Sequence, residues 1–225
     1  VTPMQPPRRL VLGAGGQLGR ALLAAWPDAT GLTRADLDLS DPAAVAALDL
    51  SGYGVIVNAA AYTAVDAAET VQGRRDAWAT NVTAVAALAH AAREQRATLV
   101  HVSSDYVFDG TVESHDEDEA FSPLGVYGQT KAAGDAVVAT VPRHYLLRTS
   151  WVIGEGRNFV ATMASLADRG VAPSVVADQF GRLTFTDEIV AALDHLLAVG
   201  APYGTYNVSN GGPVTSWADL AKAVY

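Results

Sequence analysis

Short apolar runs alternate along the chain with longer stretches whose apolar residues recur at helical spacing. Arg9–Leu12, Ala29–Thr33, Val55–Val57, Thr98–Val102, Tyr145–Val152 and Gly204–Val208 read as strands, most of them apolar enough to be buried on both faces. Between them Arg20–Trp26, Ala77–Arg93, Val126–Val138, Asn158–Asp168 and Thr186–Val199 carry helical composition. A further helix starts at Ser40 or Asp41 as N-cap, with Pro42 in its first turn, and runs to Leu50. A short strand near Val175–Val176 and a last helix capped by Ser216 complete the pattern. Such alternation predicts an α/β chain built on a doubly wound parallel sheet.

The first strand-to-helix turn carries chemistry. Arg9–Leu12 runs into Gly13-Ala14-Gly15-Gly16-Gln17-Leu18-Gly19, and helix follows at once. Strand, glycine turn and helix in that order let backbone amides approach a pyrophosphate at the helix N-terminus, where the helix dipole attracts anions. A plain strand-to-helix loop is the competing reading. The chain is expected to bind a dinucleotide in a Rossmann-like fold. Arg34, at the end of the second strand, suits the 2′-phosphate of NADPH, with NADH as the alternative. Asp38 and Leu39 would close the loop near the adenine. Asn58-Ala-Ala-Ala61-Tyr62-Thr63 leaves the third strand as a run of small residues, which either admits a flat cofactor or serves helix-on-sheet packing.

The second chemical stretch is Ser103-Ser104-Asp105-Tyr106, followed after an acidic loop by Tyr127-Gly-Gln-Thr-Lys131. Tyr127 and Lys131 stand one helical turn apart on one face. A free phenol titrates near pH ~10, and a neighbouring ammonium is expected to bring it toward neutrality, as a general acid requires. Ser104, at a strand's C-terminal end, can turn its hydroxyl to the same cleft. Tyr-x-x-x-Lys also occurs by chance on solvated helices; the glycine turn upstream and the serine between them favour the catalytic reading.

Composition narrows the partners. The 225 residues are 50% hydrophobic and 17% charged, which fits a packed globule. A net charge of −9 disfavours a nucleic-acid surface. Glu113–Glu119 is a charge run expected at a solvated lid edge, since clustered carboxylates repel phosphate. There are no cysteines, and the five histidines lack ligand spacing, so no metal site is expected. Val1–Arg9 lacks the apolar core of a signal peptide, and no apolar run is long enough for a membrane span. A cytoplasmic protein is the expectation.

Taken together, Gly16–Gly19, Asn58–Asp66, Ser103-Ser-Asp-Tyr-Val-Phe-Asp-Gly110, Tyr127–Gly134, Arg148-Thr-Ser-Trp151, Asn158-Phe159 and Asp178-Gln179 resemble the dTDP-4-dehydrorhamnose reductase family, a branch of the extended short-chain dehydrogenases/reductases. The resemblance runs over nearly all the chain. It implies reduction of the C4 ketone of dTDP-4-dehydro-L-rhamnose by NADPH or NADH, the last step of dTDP-rhamnose synthesis. Tyr127 would then donate the proton, Lys131 would tune it and hold the nicotinamide ribose, and Ser104 would polarise the ketone. Gly16 to Leu18, Asp38, Leu39, Ala61, Tyr62, Thr63 and Ser103 would line the cofactor. Asp105, Tyr106 and Trp151 would meet the nucleotide sugar. A homodimer is compatible with the family. Residues 1–150 would be the cofactor domain and 151–225 a small C-terminal substrate-binding lobe interleaved with the sheet. That lobe is expected to be shortened, because the last helix runs straight to Tyr225. Ser104 replaces the usual Thr, and Leu183 stands where the family usually has Pro. Two other functions share these motifs: a non-catalytic binding subunit, and another extended short-chain enzyme such as an epimerase or dehydratase on a different nucleotide sugar.

Overall fold

The computed structural model describes residues 7–225, so the signal-peptide expectation, which rests on Val1–Arg9, lies mostly outside the described residues. Six parallel strands form the main sheet: β1 (Arg8–Leu12), β2 (Thr30–Leu32), β3 (Tyr53–Asn58), β4 (Thr98–Ser104), β5 (His144–Thr149) and, from late in the chain, the strand Gly204–Asn207. They lie in the order β2-β1-β3-β4-β5 with the late strand outermost. Because side chains alternate along a strand, each strand feeds both faces. Leu10, Leu12, Ile56, Leu99 and Leu146 enter one apolar core. Val11, Val55, Val57, Val100 and Leu147 enter the other. Both faces therefore need helical cover, as the continuous apolar runs demanded.

Helix α1 (Gln17–Ala25) covers the second face, and α2 (Pro42–Ala46) follows β2 on the first. Asp41 caps α2 by accepting from the amides of Ala43 and Ala44. The helix stops well short of Leu50, because Asp49 accepts from the Ser51 amide and turns the chain locally instead. A short helix, α3 (Val65–Ala68), comes first. The helix expected over Ala77–Arg93 forms but starts earlier, running without a break from α4 (Val71–Trp78) through a π-helical turn at Ala79–Thr83 into α5 (Ala84–Glu94). Hydrophobic period cannot register one inserted residue in a turn.

After β4 come a short 3-10 turn (Asp105–Val107), the acidic loop and α6 (Val126–Val138). The acidic loop is mostly exposed but pinned at two points. The ring of His115 stacks on Phe108, and the Glu117 carboxylate accepts from the Asn207 amide. Beyond β5 the chain breaks at Trp151, whose φ is 39°, rather than extending to Val152 as one strand. A small lobe then forms from β6 (Val152–Ile153), α7 (Phe159–Asp168), β7 (Phe180–Gly181) and β8 (Thr184–Phe185). The strand expected at Val175–Val176 is irregular backbone; Phe180–Gly181 pairs instead. Helix α8 (Thr186–Val199) returns to pack against α1, ending at Gly200 in the left-handed conformation that glycine accepts without strain. β9 (Gly204–Asn207) completes the main sheet beside β5, and β10 (Thr215–Ser216) with α9 (Trp217–Val224) closes the lobe. Among the described residues no helix is long and apolar enough to cross a membrane.

Candidate active site

Strand order reverses between β1 and β3, and open α/β sheets bind ligands at the carboxyl ends of the strands flanking such a point. A cleft of about 640 Å³ opens there. Gly13, Gly16, Gln17, Leu18, Arg34, Asp38, Leu39, Ala61, Tyr62, Thr63, Ser103, Tyr127 and Lys131, all singled out from the sequence, line it. Gly13 takes φ 81°, and a Cβ on it would sit 2.8 Å from the Ala60 amide nitrogen. Gly19 lies behind the cleft: a Cβ there would collide with the Gly13 carbonyl, so glycine lets α1 press against the turn. No side chain caps α1, which leaves its first amides to face the cleft.

Just past the end of β2, Arg34 reaches Asp38 at 3.6 Å and is otherwise largely exposed. Asp38 accepts from both the amide and the hydroxyl of Ser40, and these bonds hold its carboxyl below the usual range. A cation and an anion thus stand side by side at this edge of the cleft.

Helix α6 presents Tyr127 and Lys131 to the other end. Its first amide, that of Val126, donates to Glu69 from the α3–α4 junction at 2.7 Å, a cap supplied from far along the chain. Gly128 lets the helix touch the Tyr106 carbonyl, where a Cβ would collide. The ring of Tyr106 meets that of Tyr127 edge-on, centroids 5.6 Å apart. Lys131 is 2% exposed and donates from Nζ to the Val102 carbonyl at 2.8 Å. Burial pushes Lys131 down to about 8. The phenol of Tyr127 does not move toward neutrality as expected. Burial raises it well above its ordinary value, with Asp105, Tyr106 and Asp135 pushing the same way, while the Ser104 hydroxyl alone pulls it down. Desolvation of the phenolate sets the direction, and Lys131, seated on the Val102 carbonyl, does not offset it. The site therefore holds a phenol with its proton firmly in place.

Ser104 ends β4 beside it. Its hydroxyl donates to Asp105 Oδ1 at 3.1 Å and accepts from the Tyr106 amide. Burial pushes Asp105 up to about 6, against the bonds from Ser104 and the backbone. Of the other expected site residues, Ser104, Asp105 and Tyr106 flank the cleft beside Tyr127 without lining it, and Trp151 lies further off. It turns into the small lobe, stacked on Trp217 with centroids 3.5 Å apart and packed against Gly181.

Several lining residues were not assigned to the site from the sequence, although Thr149 lies within the Arg148–Trp151 motif. Asp76, Thr80, Thr149 and Arg157 reach the cleft from different elements. Asn81 works just outside it from the π-helical turn. Its amide accepts from Tyr62 N and donates to Tyr62 O and Thr130 Oγ1, tying the β3 exit to α6. The hydroxyls of Ser103 and Thr149 are buried on the cleft wall without a protein partner. Free helix amides, glycines pressed against backbone and two unpaired hydroxyls make a cradle that fits a dinucleotide.

Comparison with known proteins agrees with this geometry. A family model described as the RmlD substrate binding domain matches residues 8–225. The chain is 40% identical over 232 residues to dTDP-4-dehydrorhamnose reductase of Aggregatibacter actinomycetemcomitans, covering 97% of this chain and 78% of that protein. It is 41% identical over 230 residues to a probable dTDP-4,6-dihydroxy-2-methyloxan-3-one 4-ketoreductase of Streptomyces antibioticus, covering 97% and 76%. The crystal structure of dTDP-4-dehydrorhamnose reductase from Bacillus anthracis in complex with NADP superposes with a TM-score of 0.89 at 34% identity, covering 98% of this chain and 80% of that one. The chain belongs to the RmlD family, that of the dTDP-4-dehydrorhamnose reductases.

Proposed function

We propose that the chain reduces the C4 ketone of dTDP-4-dehydro-L-rhamnose to dTDP-L-rhamnose, with NADPH as the preferred reductant and NADH as the alternative, in the cytoplasm. The observation that carries this is Tyr127: a buried, protonated phenol beside the Ser104 hydroxyl, at the mouth of a cleft whose far wall is the glycine turn.

The α1 amides and Gly13–Leu18 would hold the pyrophosphate, Arg34 and Asp38 the adenosine ribose, and Lys131 with Ser103 the nicotinamide ribose. The bound cofactor supplies a hydride to C4 of the sugar. As charge develops on the ketone oxygen, Tyr127 transfers its phenolic proton there, and solvent later restores it. Its raised pKa suits this direction, because a phenol that kept no proton could not quench an alkoxide. Ser104 polarises the oxygen by turning its O–H from Asp105 to the substrate. Lys131 bears positive charge near the phenolate left behind. Asp105 and Tyr106 would contact the nucleotide sugar.

The non-catalytic subunit is the weaker reading, since Ser104, Tyr127 and Lys131 are all present. A related 4-keto sugar nucleotide is favoured by one observation, the 41% identity to the Streptomyces ketoreductase. The test is a spectrophotometric assay of NADPH and NADH oxidation with dTDP-4-dehydro-L-rhamnose beside other dTDP-4-keto sugars. Fastest turnover with the rhamnose precursor supports the proposal, and a faster alternative ketone replaces the substrate while keeping the mechanism. Absence of oxidation with every ketone sinks the reductase reading.

A further inference from the structure

One buried charge has no part in the chemistry so far. Asp135 lies one helical turn beyond Lys131 on α6, and neither is more than 2% exposed. Arg148 on β5 donates from Nε to Asp135 Oδ2 at 3.1 Å. The guanidinium is itself fixed: Nη1 donates to the Glu117 carbonyl at 2.9 Å, and the rings of Phe108 and Phe121 lie 5.2 Å from its central carbon. The other carboxylate oxygen, Oδ1, makes no hydrogen bond of good geometry. Burial pushes the Asp135 carboxyl up, while the neighbouring Ser103 hydroxyl, Lys131 and Arg148 pull it back toward the charged form. A buried carboxylate one helical turn along from a buried ammonium supplies its counter-charge.

The groups around Lys131 make Asp135 the anion that matters. On its own helix stand Tyr127 and Asp135. From β4 comes His101, buried and held neutral because desolvation and Lys131 both push its pKa well down. From β5 comes Arg148, a cation. Asp76 lies across the cleft, and Asp105 is next to Tyr127. With Asp135 gone, the ammonium would face buried surroundings and a guanidinium.

We propose that Asp135 is a positioning residue: its carboxylate, clamped by Arg148, keeps the Lys131 side chain charged and seated on the Val102 carbonyl, so that a cation is ready when Tyr127 gives up its proton. This role for Asp135 rests on the proton-donor reading above. Burial lowers Lys131 and Asp135 raises it, leaving it at about 8. An opposite charge close by is worth roughly 1–3 pH units to such a group.

The chain has only two lysines, Lys131 and the exposed Lys222, so a ¹³C NMR titration of the lysine Cε signals gives two resolved curves, assigned with Lys222→Gln. In the wild type the Lys131 signal titrates near 8. In Asp135→Asn its midpoint falls by about one pH unit or more, and the alkaline limb of kcat moves with it. Asp135→Glu restores both to within about half a pH unit of the wild type. If the single variant does not fold, the double variant Asp135→Asn/Arg148→Met removes the ion pair as a unit, avoids an unpaired buried cation, and lowers the midpoint in the same direction. A Lys131 midpoint that stays put in the folded Asn variant overturns the proposal, as does a Glu variant no closer to the wild type than the Asn variant. The titration needs neither substrate nor cofactor. Loss of ketone reduction in the wild type would therefore sink the reductase reading without touching this measurement.

Discussion

Asp105→Asn should stabilise the protein, and only at neutral pH. Asp105 follows β4 in the 3-10 turn, and burial raises its carboxyl from 3.8 to about 6. A folded-state pKa above the unfolded one means that the folded chain holds the proton more tightly. That contribution is complete below pH ~3.8 and is lost as pH rises through about 6. At about 1.4 kcal/mol per pH unit the loss comes to roughly 3 kcal/mol, an upper bound because the carboxyl keeps some contact with water. The asparagine amide does not titrate, and its oxygen can still accept from Ser104. The stability of the variant minus that of the wild type should therefore grow by about 2–3 kcal/mol between pH 4 and pH 7.5. For a chain of this size that corresponds to a Tm advantage of about 4–12 °C at the higher pH. Urea and thermal unfolding of both proteins at the two pH values measure it, and titrations of groups that do not interact with Asp105 cancel in the difference. A gap that does not change with pH would refute the assignment of a desolvated carboxylate to this site. A group kept at such a cost to stability is what a binding or catalytic position looks like.

Tyr127→Phe removes the proton donor while leaving the packing, so kcat should fall by at least ~10²-fold with cofactor Kd little changed. Unchanged turnover in steady-state assays would take Tyr127 out of the mechanism. Arg34→Ala should weaken NADPH more than NADH in fluorescence titrations, and equal weakening would show that the side chain never meets the 2′-phosphate. Gly19→Ala drives a methyl into the Gly13 carbonyl and should cost about 2 kcal/mol or more in urea unfolding, together with dinucleotide affinity. A variant as stable as the wild type would show that the turn can yield.

The legible parts of the chain were those where one physical rule dominates. Leu10, Val11 and Leu12 are apolar at successive positions because the sheet is covered on both faces, and that alone identified β1. Gly13, Gly16 and Gly19 declared the cradle because backbone approach excludes a side chain. The spacing of Tyr127 and Lys131 put both on one face of α6, which the structure reproduces. What failed depended on the environment. The direction in which Tyr127 titrates is set by burial, and no spacing encodes how much water a phenol loses. The partner of the Trp151 indole, Trp217, lies 66 positions away, and no local motif could name it. Asn81 looked like one polar residue in a helix, and its task shows only once the backbone of Tyr62 is placed against it.

The way the chain re-enters the main sheet has a further consequence. It leaves the sheet after Thr149, builds the small lobe, and comes back through α8 and β9 to dock on α1 and β5. The lobe is thus sewn to the larger body by two seams rather than hung from one. A cut after residue 150 would strip the cover from Val11, Val57 and Leu147 and leave a torn sheet, so the two halves share one fate in folding.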